Sequence, residues 1–300
     1  MRGYVHVAEQ HTGPAGTGWA RAGWAESAVA VVGAAGAVAV LLSSGTAENP
    51  APVTPPTAVP TPSAAAPPRR IAPVPVSAER MAKLPVATTY ATLPRAPRDP
   101  GPFRSMSGLA VHPTADRVIY TRPGGPPLAV LPPAQLAGPT WVPVVERLPG
   151  WVRVLLPNRP NRSTGWIHTG GGGLRNARLT RRVEIGLAAR RLTVFDGHRR
   201  LGSWRVAVGA PGTPTPPGRT FLLASVSPAR PTYTPLFLAL GAHSGTLKTF
   251  AGGPATVALH GWPDESAFGR AVSYGCVRVP AAALRLLSRL PPGSPVMITR

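Results

Sequence analysis

The chain has 300 residues, of which 40 are proline and 33 glycine, so a large part of it cannot be packed core. Its 32 Lys and Arg against 11 Asp and Glu give a formal net charge of +21, which favours polyanionic surroundings such as anionic lipid or acidic cell-wall polymer, although a coding bias toward Arg gives the same balance. No arginine-rich block is interleaved with aromatic residues, so nucleic acid is not expected as a partner.

Residues 28–42 form a fifteen-residue apolar run without charge, preceded by a flank, residues 1–27, that carries Arg21 and Glu26. The run is shorter than the about 20 apolar residues that a membrane-spanning helix needs. It is typical of a signal-peptide core or a short signal anchor, although a buried soluble helix has a similar composition. We therefore expect an extracytoplasmic protein of the cell envelope, secreted or attached to the membrane by this segment.

Residues 43–103 are rich in proline and alanine, and 15 of the 54 residues from 49 to 102 are proline. Proline removes backbone donors and fixes φ. The composition predicts a disordered, extended linker that forms neither helix nor sheet. The folded part of the chain should then work at a distance from the membrane.

Residues 104–175 predict a small β module in which short strands are separated by turns. Its Gly150-Trp-Val-Arg-Val and Gly165-Trp-Ile patterns resemble those of bacterial SH3-like modules, and this resemblance implies a small β-barrel. Such a module either binds wall polymer or a peptide, or only spaces the next domain. In a binding module the tryptophan rings would be stacking surfaces, and in a spacer they would fill the small core. The tryptophans concerned are Trp141, Trp151 and Trp166.

Residues 181–300 predict a mainly β domain with one or two helices. Alternating segments such as 183–187 indicate strands, and Asp196-Gly197 is typical of a hairpin turn. A helix is predicted from Pro280, because the leucines that follow recur on one face and two prolines end the pattern. Val296-Met-Ile then predicts a closing strand.

Cys276 is the only cysteine, and His260 lies sixteen positions before it. A lone cysteine is usually a small buried hydrophobe. In an exported protein, however, an unpaired thiol indicates a reactive group. A thiol needs a nearby base to act as a nucleophile, and Arg278 would share its side of an extended segment.

The C-terminal domain resembles the L,D-transpeptidase catalytic domain family, the YkuD-type fold. That family carries His-Gly followed by Ser-His-Gly-Cys, a hydrophobic residue, and Arg or Asn. This chain has His260-Gly261 and then Ser273-Tyr-Gly-Cys-Val-Arg278. The segment from Ala207 to Phe221, with its Gly-Thr-Pro-Thr-Pro-Pro-Gly, and Leu240-Gly-Ala-His-Ser are also similar to actinobacterial members. The resemblance implies a β-sandwich-like domain.

The resemblance also implies an activity on peptidoglycan stem peptides and cell-wall polymer. Cys276 would attack the carbonyl of the diamino acid at stem position three, release D-alanine and pass the acyl group to a neighbouring stem as a 3→3 cross-link, with His260 as the base. Carbapenem-type β-lactams would acylate the same thiol, and no metal or cofactor is needed. The other implied site residues are Ser273, Tyr274 and Gly275 for site shape and oxyanion binding, and Arg278, Gly261, Trp262 and His243 for substrate binding.

Tyr274 departs from the family, because it stands where the family has its second histidine. A phenol can donate a hydrogen bond but is not an imidazole base. The alternative to an active enzyme is therefore a catalytically weakened wall-binding protein on the same fold. A papain-like or NlpC-type peptidase is disfavoured, because those enzymes place cysteine before histidine. His243 either lines the pocket or has a structural role.

Overall fold

The computed structural model describes residues 70–230, 232–250 and 252–300. The predicted flank, the apolar segment at 28–42 and the linker up to residue 69 lie outside these ranges. Within the described ranges, no helix combines the length and the apolarity that crossing a membrane requires.

Residues 70–103 pack against the rest of the fold. They include a short helix, α1 (Ala78–Ala82), and Ala87 and Leu93 are both buried. The Ala87 amide donates to the Val130 carbonyl over 2.7 Å. The prediction of an extended linker is therefore wrong from residue 70 onward, because the apolar residues between the prolines gain enough contact to fix the segment.

The module is a seven-stranded antiparallel sheet with the strand order β3-β2-β8-β7-β6-β1-β9, and a small hairpin, β4-β5, lies outside it. Its strands are β1 Leu109–Pro113, β2 Arg117–Tyr120, β3 Pro127–Leu131, β4 Ala134–Gln135, β5 Gly138–Pro139, β6 Val142–Leu148, β7 Trp151–Leu155, β8 Thr164–His168 and β9 Leu174–Arg178. The predicted short strands are confirmed, while the SH3-like resemblance stays a prediction.

The tryptophans of the module belong mainly to its interior. Trp151 and Trp166 are buried at 1% and 3% exposure and form a small cluster with Tyr120. Trp141 is partly exposed and stacks on His112, with ring centroids 5.1 Å apart. The core role, one of the two predicted alternatives, therefore fits Trp151 and Trp166.

The second sheet has eight strands in the order β12-β11-β10-β19-β14-β15-β16-β18, and β13 pairs with β17. The elements are β10 Arg181–Gly186, β11 Arg191–Asp196, β12 Arg199–Arg205, β13 Val208–Gly209, β14 Gly218–Val226, β15 Phe237–His243, β16 Thr256–Gly261, a 3-10 turn Glu265–Ala267, β17 Ala271–Ser273, β18 Val277–Val279, α2 Ala281–Leu287 and β19 Pro295–Thr299. The mainly β fold, the hairpin at Asp196-Gly197, the helix and the closing strand are all confirmed.

The module and the C-terminal domain belong to one compact unit. Strand β14 joins them, because its Phe221 and Leu223 pack in the module's hydrophobic cluster. Arg219 on the same strand donates to both oxygens of Asp99 over 2.7 and 2.6 Å, and both side chains are almost fully buried. Removing one partner of such a pair typically costs about 3–5 kcal/mol, so this contact fixes residues 70–103 on the sheet.

Candidate active site

Cys276 and His260 are brought together by a parallel pair of strands. His260 lies on β16 and is the register partner of Arg278 on β18, while Cys276 immediately precedes β18. All three side chains line one cavity of about 470 Å³. The sheet therefore gathers the predicted nucleophile, base and cation at a single site.

The loop that carries Cys276 is closed by Ser273. The Ser273 hydroxyl donates to the Cys276 carbonyl and accepts the Gly275 amide over 3.1 Å. Gly275 has φ +110°, a backbone conformation that residues with a Cβ rarely adopt. Ser273 and Gly275 therefore fix the conformation of the loop that carries Cys276, and the site-shaping role assigned to them stays a prediction.

A proline-rich loop between β13 and β14 is hydrogen-bonded to the loop that carries Cys276. Thr215, which is buried, donates through Oγ1 to the Gly275 carbonyl over 2.9 Å and accepts the Gly209 amide over 2.9 Å. Thr213 donates to the Ser273 carbonyl over 2.9 Å. Neither threonine was predicted as a site residue. Their position in the Thr-Pro-Thr-Pro run was visible in the sequence, but its contact with residues sixty positions away was not.

His260 is buried, and its Nδ1 lies 2.9 Å from the Gly261 carbonyl oxygen. A carbonyl only accepts, so Nδ1 carries the proton and the Nε2 lone pair remains available. Burial lowers the pKa of His260, the hydrogen bond to Gly261 opposes this shift, and the charge of Arg278 adds to it. The imidazole is therefore neutral at pH 7 and able to accept a proton.

Cys276 is partly exposed, and burial of its sulfur raises the pKa of the thiol. A hydrogen bond from the Ala258 backbone and the charge of Arg278 oppose that shift. The resting state thus pairs a neutral thiol with a neutral imidazole. Nucleophilic attack in this site requires transfer of the thiol proton to a base.

Aromatic rings surround the charged end of the cavity. The guanidinium carbon of Arg278 lies 3.6 Å from the centre of the Trp262 ring. Tyr233, which the sequence gave no reason to select, contacts both Trp262 and His260 edge-on at 4.9 and 5.4 Å between centroids. Burial raises the pKa of Tyr233, and the nearby Cys276 adds to that shift, so its hydroxyl stays protonated.

Gly261 and His243, both predicted as substrate contacts, lie outside the cavity lining. Gly261 is buried, and its amide donates to the Thr234 hydroxyl over 2.9 Å. His243 is fully buried, and its Nε2 donates to the Thr89 carbonyl over 2.7 Å. Asn161 pairs with both backbone groups of His243. Neither residue therefore contributes to the cavity lining; the structural alternative fits His243, and substrate binding by Gly261 stays a prediction.

The environment of His243 keeps its ring neutral. Burial lowers the pKa of His243 to about 4, against the opposing hydrogen bond to Thr89. Its Nδ1 is buried and has no hydrogen-bond partner in the described part of the chain. A proton added there would be buried without an acceptor, which is unfavourable.

Tyr274 lies at the mouth of the cavity and is 63% exposed. Its ring centroid is 5.9 Å from that of Phe250, which is also exposed.

Within residues 70–230, 232–250 and 252–300, no cluster of three or more His, Cys, Asp or Glu residues has metal-binding geometry.

The comparisons with known proteins concern the C-terminal domain. The family model for the YkuD L,D-transpeptidase catalytic domain matches residues 180–298. A search of curated proteins gives no match for this chain.

Similar solved structures include the catalytic domain of the E. faecium L,D-transpeptidase, with 17% identity, 39% of this chain and 95% of that chain covered, and a TM-score of 0.31. An L,D-transpeptidase from Mycobacterium smegmatis has 16% identity, 50% and 91% coverage and a TM-score of 0.35. L,D-transpeptidase 3 from Mycobacterium tuberculosis with a faropenem-derived adduct has 13% identity, 47% and 75% coverage and a TM-score of 0.35. The similarity to the YkuD L,D-transpeptidase catalytic domain thus covers residues 180–298 of this chain, the region that holds Cys276 and His260.

Proposed function

We propose that this protein is a peptidoglycan L,D-transpeptidase that works through a Cys276 thioester with His260 as the base. The observation that carries the proposal is the hydrogen bond from His260 Nδ1 to the Gly261 carbonyl, at 2.9 Å. It leaves Nε2 as a free acceptor in the cavity that Cys276 also lines.

The first half-reaction transfers the donor acyl group to the sulfur. Nε2 of His260 takes the thiol proton while the sulfur bonds to the carbonyl carbon of the diamino acid at stem position three. The tetrahedral intermediate then expels the terminal D-alanine, whose amine receives the proton from His260, and a thioester remains.

The second half-reaction forms the cross-link. The side-chain amine of a neighbouring stem attacks the thioester and gives a proton to His260. The carbon–sulfur bond breaks, and the proton returns to the thiolate. The product is an amide between two position-three residues, a 3→3 cross-link, and the acyl transfer needs no redox partner.

The oxyanion of each intermediate needs backbone donors near the sulfur. The Gly275 amide already donates to Ser273, so we assign this task to the amides of Tyr274 and Cys276. Arg278, which lies on the Trp262 ring, is the cation available to the donor's terminal carboxylate.

A wall-binding protein without turnover is the second candidate, and the exposed position of Tyr274 favours it. No imidazole stands at that position to assist the thiol, and the phenol faces the cavity mouth. On either candidate, the extracytoplasmic location and the membrane attachment rest on the apolar segment at residues 28–42.

Faropenem is the probe that separates the two candidates, since a faropenem-derived adduct is known on L,D-transpeptidase 3 from Mycobacterium tuberculosis. We expect intact-mass measurement of the full chain to show one adduct, which is absent from Cys276→Ala. An unmodified wild-type protein, or an adduct that persists in Cys276→Ala, would contradict the assigned nucleophile.

Purified stem tetrapeptides then test the transfer step. Cross-linked dimers that have lost one D-alanine, the one released from the donor, are the expected product. Tripeptide monomers alone would identify a hydrolase, and binding of the peptide without any product would favour the wall-binding protein.

A further inference from the structure

The catalytic cavity continues beyond the catalytic pair, along β16. Thr256, Val257, Ala258 and His260 of this strand line it, and the strand covers about 13 Å from Thr256 to His260 at about 3.3 Å per residue. The cavity therefore has a catalytic end at His260 and a distal end at Thr256.

The register between β16 and β18 fixes the order of the side chains along the cavity. Arg278 is level with His260, and Cys276, two residues earlier, is level with Ala258, whose backbone hydrogen-bonds the sulfur. Arg278, Cys276 and Thr256 thus follow one another along the cavity. A donor peptide with its terminal carboxylate on Arg278 and its carbonyl at Cys276 extends toward Thr256.

Residues from before the catalytic domain form the wall at the distal end. Thr89 and Tyr90 line it from the packed segment 70–103, and Leu136 lines it from the turn between β4 and β5. Thr89 is fixed there, since its hydroxyl lies 2.7 Å from the Thr256 hydroxyl. Tyr90 is 68% exposed, so its ring is available to a ligand.

A loop of the catalytic domain also lines the distal end through residues 244–250 and 252–254, and it is held by the module. Arg159 donates to the carbonyls of Ser244, Leu247 and Pro254 over 2.9 to 3.0 Å. Its own amide donates to the Ala91 carbonyl over 2.9 Å. One arginine therefore connects this loop to the segment that carries Tyr90.

Charge differs between the two ends. Among the described residues that line the cavity, Arg278 is the only lysine, arginine, aspartate or glutamate, and it lies at the catalytic end. The distal end presents aromatic, aliphatic and hydroxyl groups. Aromatic rings bind uncharged peptide groups through contact area and stacking, so this end suits an uncharged part of a peptide.

We propose that Tyr90 and Leu136 form a distal subsite for the amino-terminal part of the donor peptide, about two residues before the attacked carbonyl. This inference rests on the proposed function for the identity of the peptide. The subsite makes Tyr90 a specificity-determining residue that lies outside the catalytic domain.

Binding to the full chain with Cys276→Ala tests the subsite without turnover. Two donors, both acetylated at the amino terminus so that this end is uncharged, are compared by calorimetry: the stem tetrapeptide and the same peptide lacking its two amino-terminal residues. We expect Tyr90→Ala to weaken binding of the tetrapeptide about tenfold and to leave the truncated peptide within about twofold, because only the former reaches the aromatic ring.

Phe103→Ala is the matched control, since Phe103 is an exposed aromatic of the same segment that does not line the cavity. Equal effects of Tyr90→Ala on both peptides, or no effect on either, would overturn the subsite. In the active chain, a higher KM for the acceptor alone would assign the distal end to the acceptor and overturn the proposal too. Absence of the faropenem adduct would instead reject the proposed nucleophile, a separate result.

Discussion

The sites around His260 and His243 differ although both rings are buried and neutral. Both histidines have a lowered pKa, mainly through burial. The His260 ring lines the cavity with Nε2 free, whereas Nε2 of His243 is bonded to Thr89 and its Nδ1 is enclosed. A lowered pKa therefore does not distinguish the two histidines, whereas the free Nε2 of His260 in the cavity that Cys276 also lines does.

The strongest test of this contrast is the loss of each ring in turn. We expect His260→Gln to slow faropenem acylation of Cys276 by about 10²–10⁴-fold, because the thiol loses its proton acceptor. His243→Gln should leave that rate within about threefold at pH 7, since it keeps a donor toward Thr89. Stopped-flow or time-resolved mass measurements check both rates. Comparable losses in the two variants would contradict the distinction.

The stability of the protein in acid tests the same contrast through His243. His243 has a pKa of about 4 in the folded state, below its unfolded value, so the unfolded chain binds more protons between pH 6.5 and 4. Stability is lost as the pH falls through this window, by up to about 3 kcal/mol from this residue.

Urea unfolding of wild type and His243→Gln at pH 7.0 and 4.5 measures this loss. The variant should lose about 2–3 kcal/mol less between the two pH values, and His260, present in both proteins, cancels in the comparison. Parallel pH dependences in the two proteins would contradict the assignment.

Changes at Thr215, which is hydrogen-bonded to the loop that carries Cys276, should have an intermediate effect on the acylation rate. Thr215→Val removes the hydrogen bonds to the Gly275 carbonyl and the Gly209 amide, so we expect acylation to slow about tenfold through misplacement of the loop. Thr215→Ser keeps the hydroxyl and should restore most of the rate. An equal loss in both variants would indicate a packing effect instead.

Tyr274 should give the smallest effect. Tyr274→Phe keeps the ring that faces Phe250 and removes only an exposed hydroxyl, so the acylation rate should change less than about threefold. A loss of a hundredfold or more would show that the hydroxyl takes over the task of the family's histidine.

The sequence was most informative where the determining contacts are local. Ser273, Gly275 and Cys276 lie within four residues and form hydrogen bonds within their own loop. Their arrangement could therefore be predicted from the sequence motif. His243 depends on Thr89, which is 154 positions away, and Tyr90 lines a cavity formed mainly by residues far along the chain, which no local pattern reveals. Residues 70–103 were misjudged because proline content excludes regular structure but not packing, and the contacts of Ala87 and Leu93 lie in another part of the chain.

Strand β14 has a consequence for anyone who shortens this protein. Its Phe221 and Leu223 face the module, and Arg219 neutralises Asp99. A fragment starting at residue 180 would expose two large apolar side chains to water and leave Arg219 without its carboxylate partner. It would also open one wall of the cavity that Cys276 lines. Inhibitor screens on such a fragment would therefore select compounds for a pocket that the intact protein does not have.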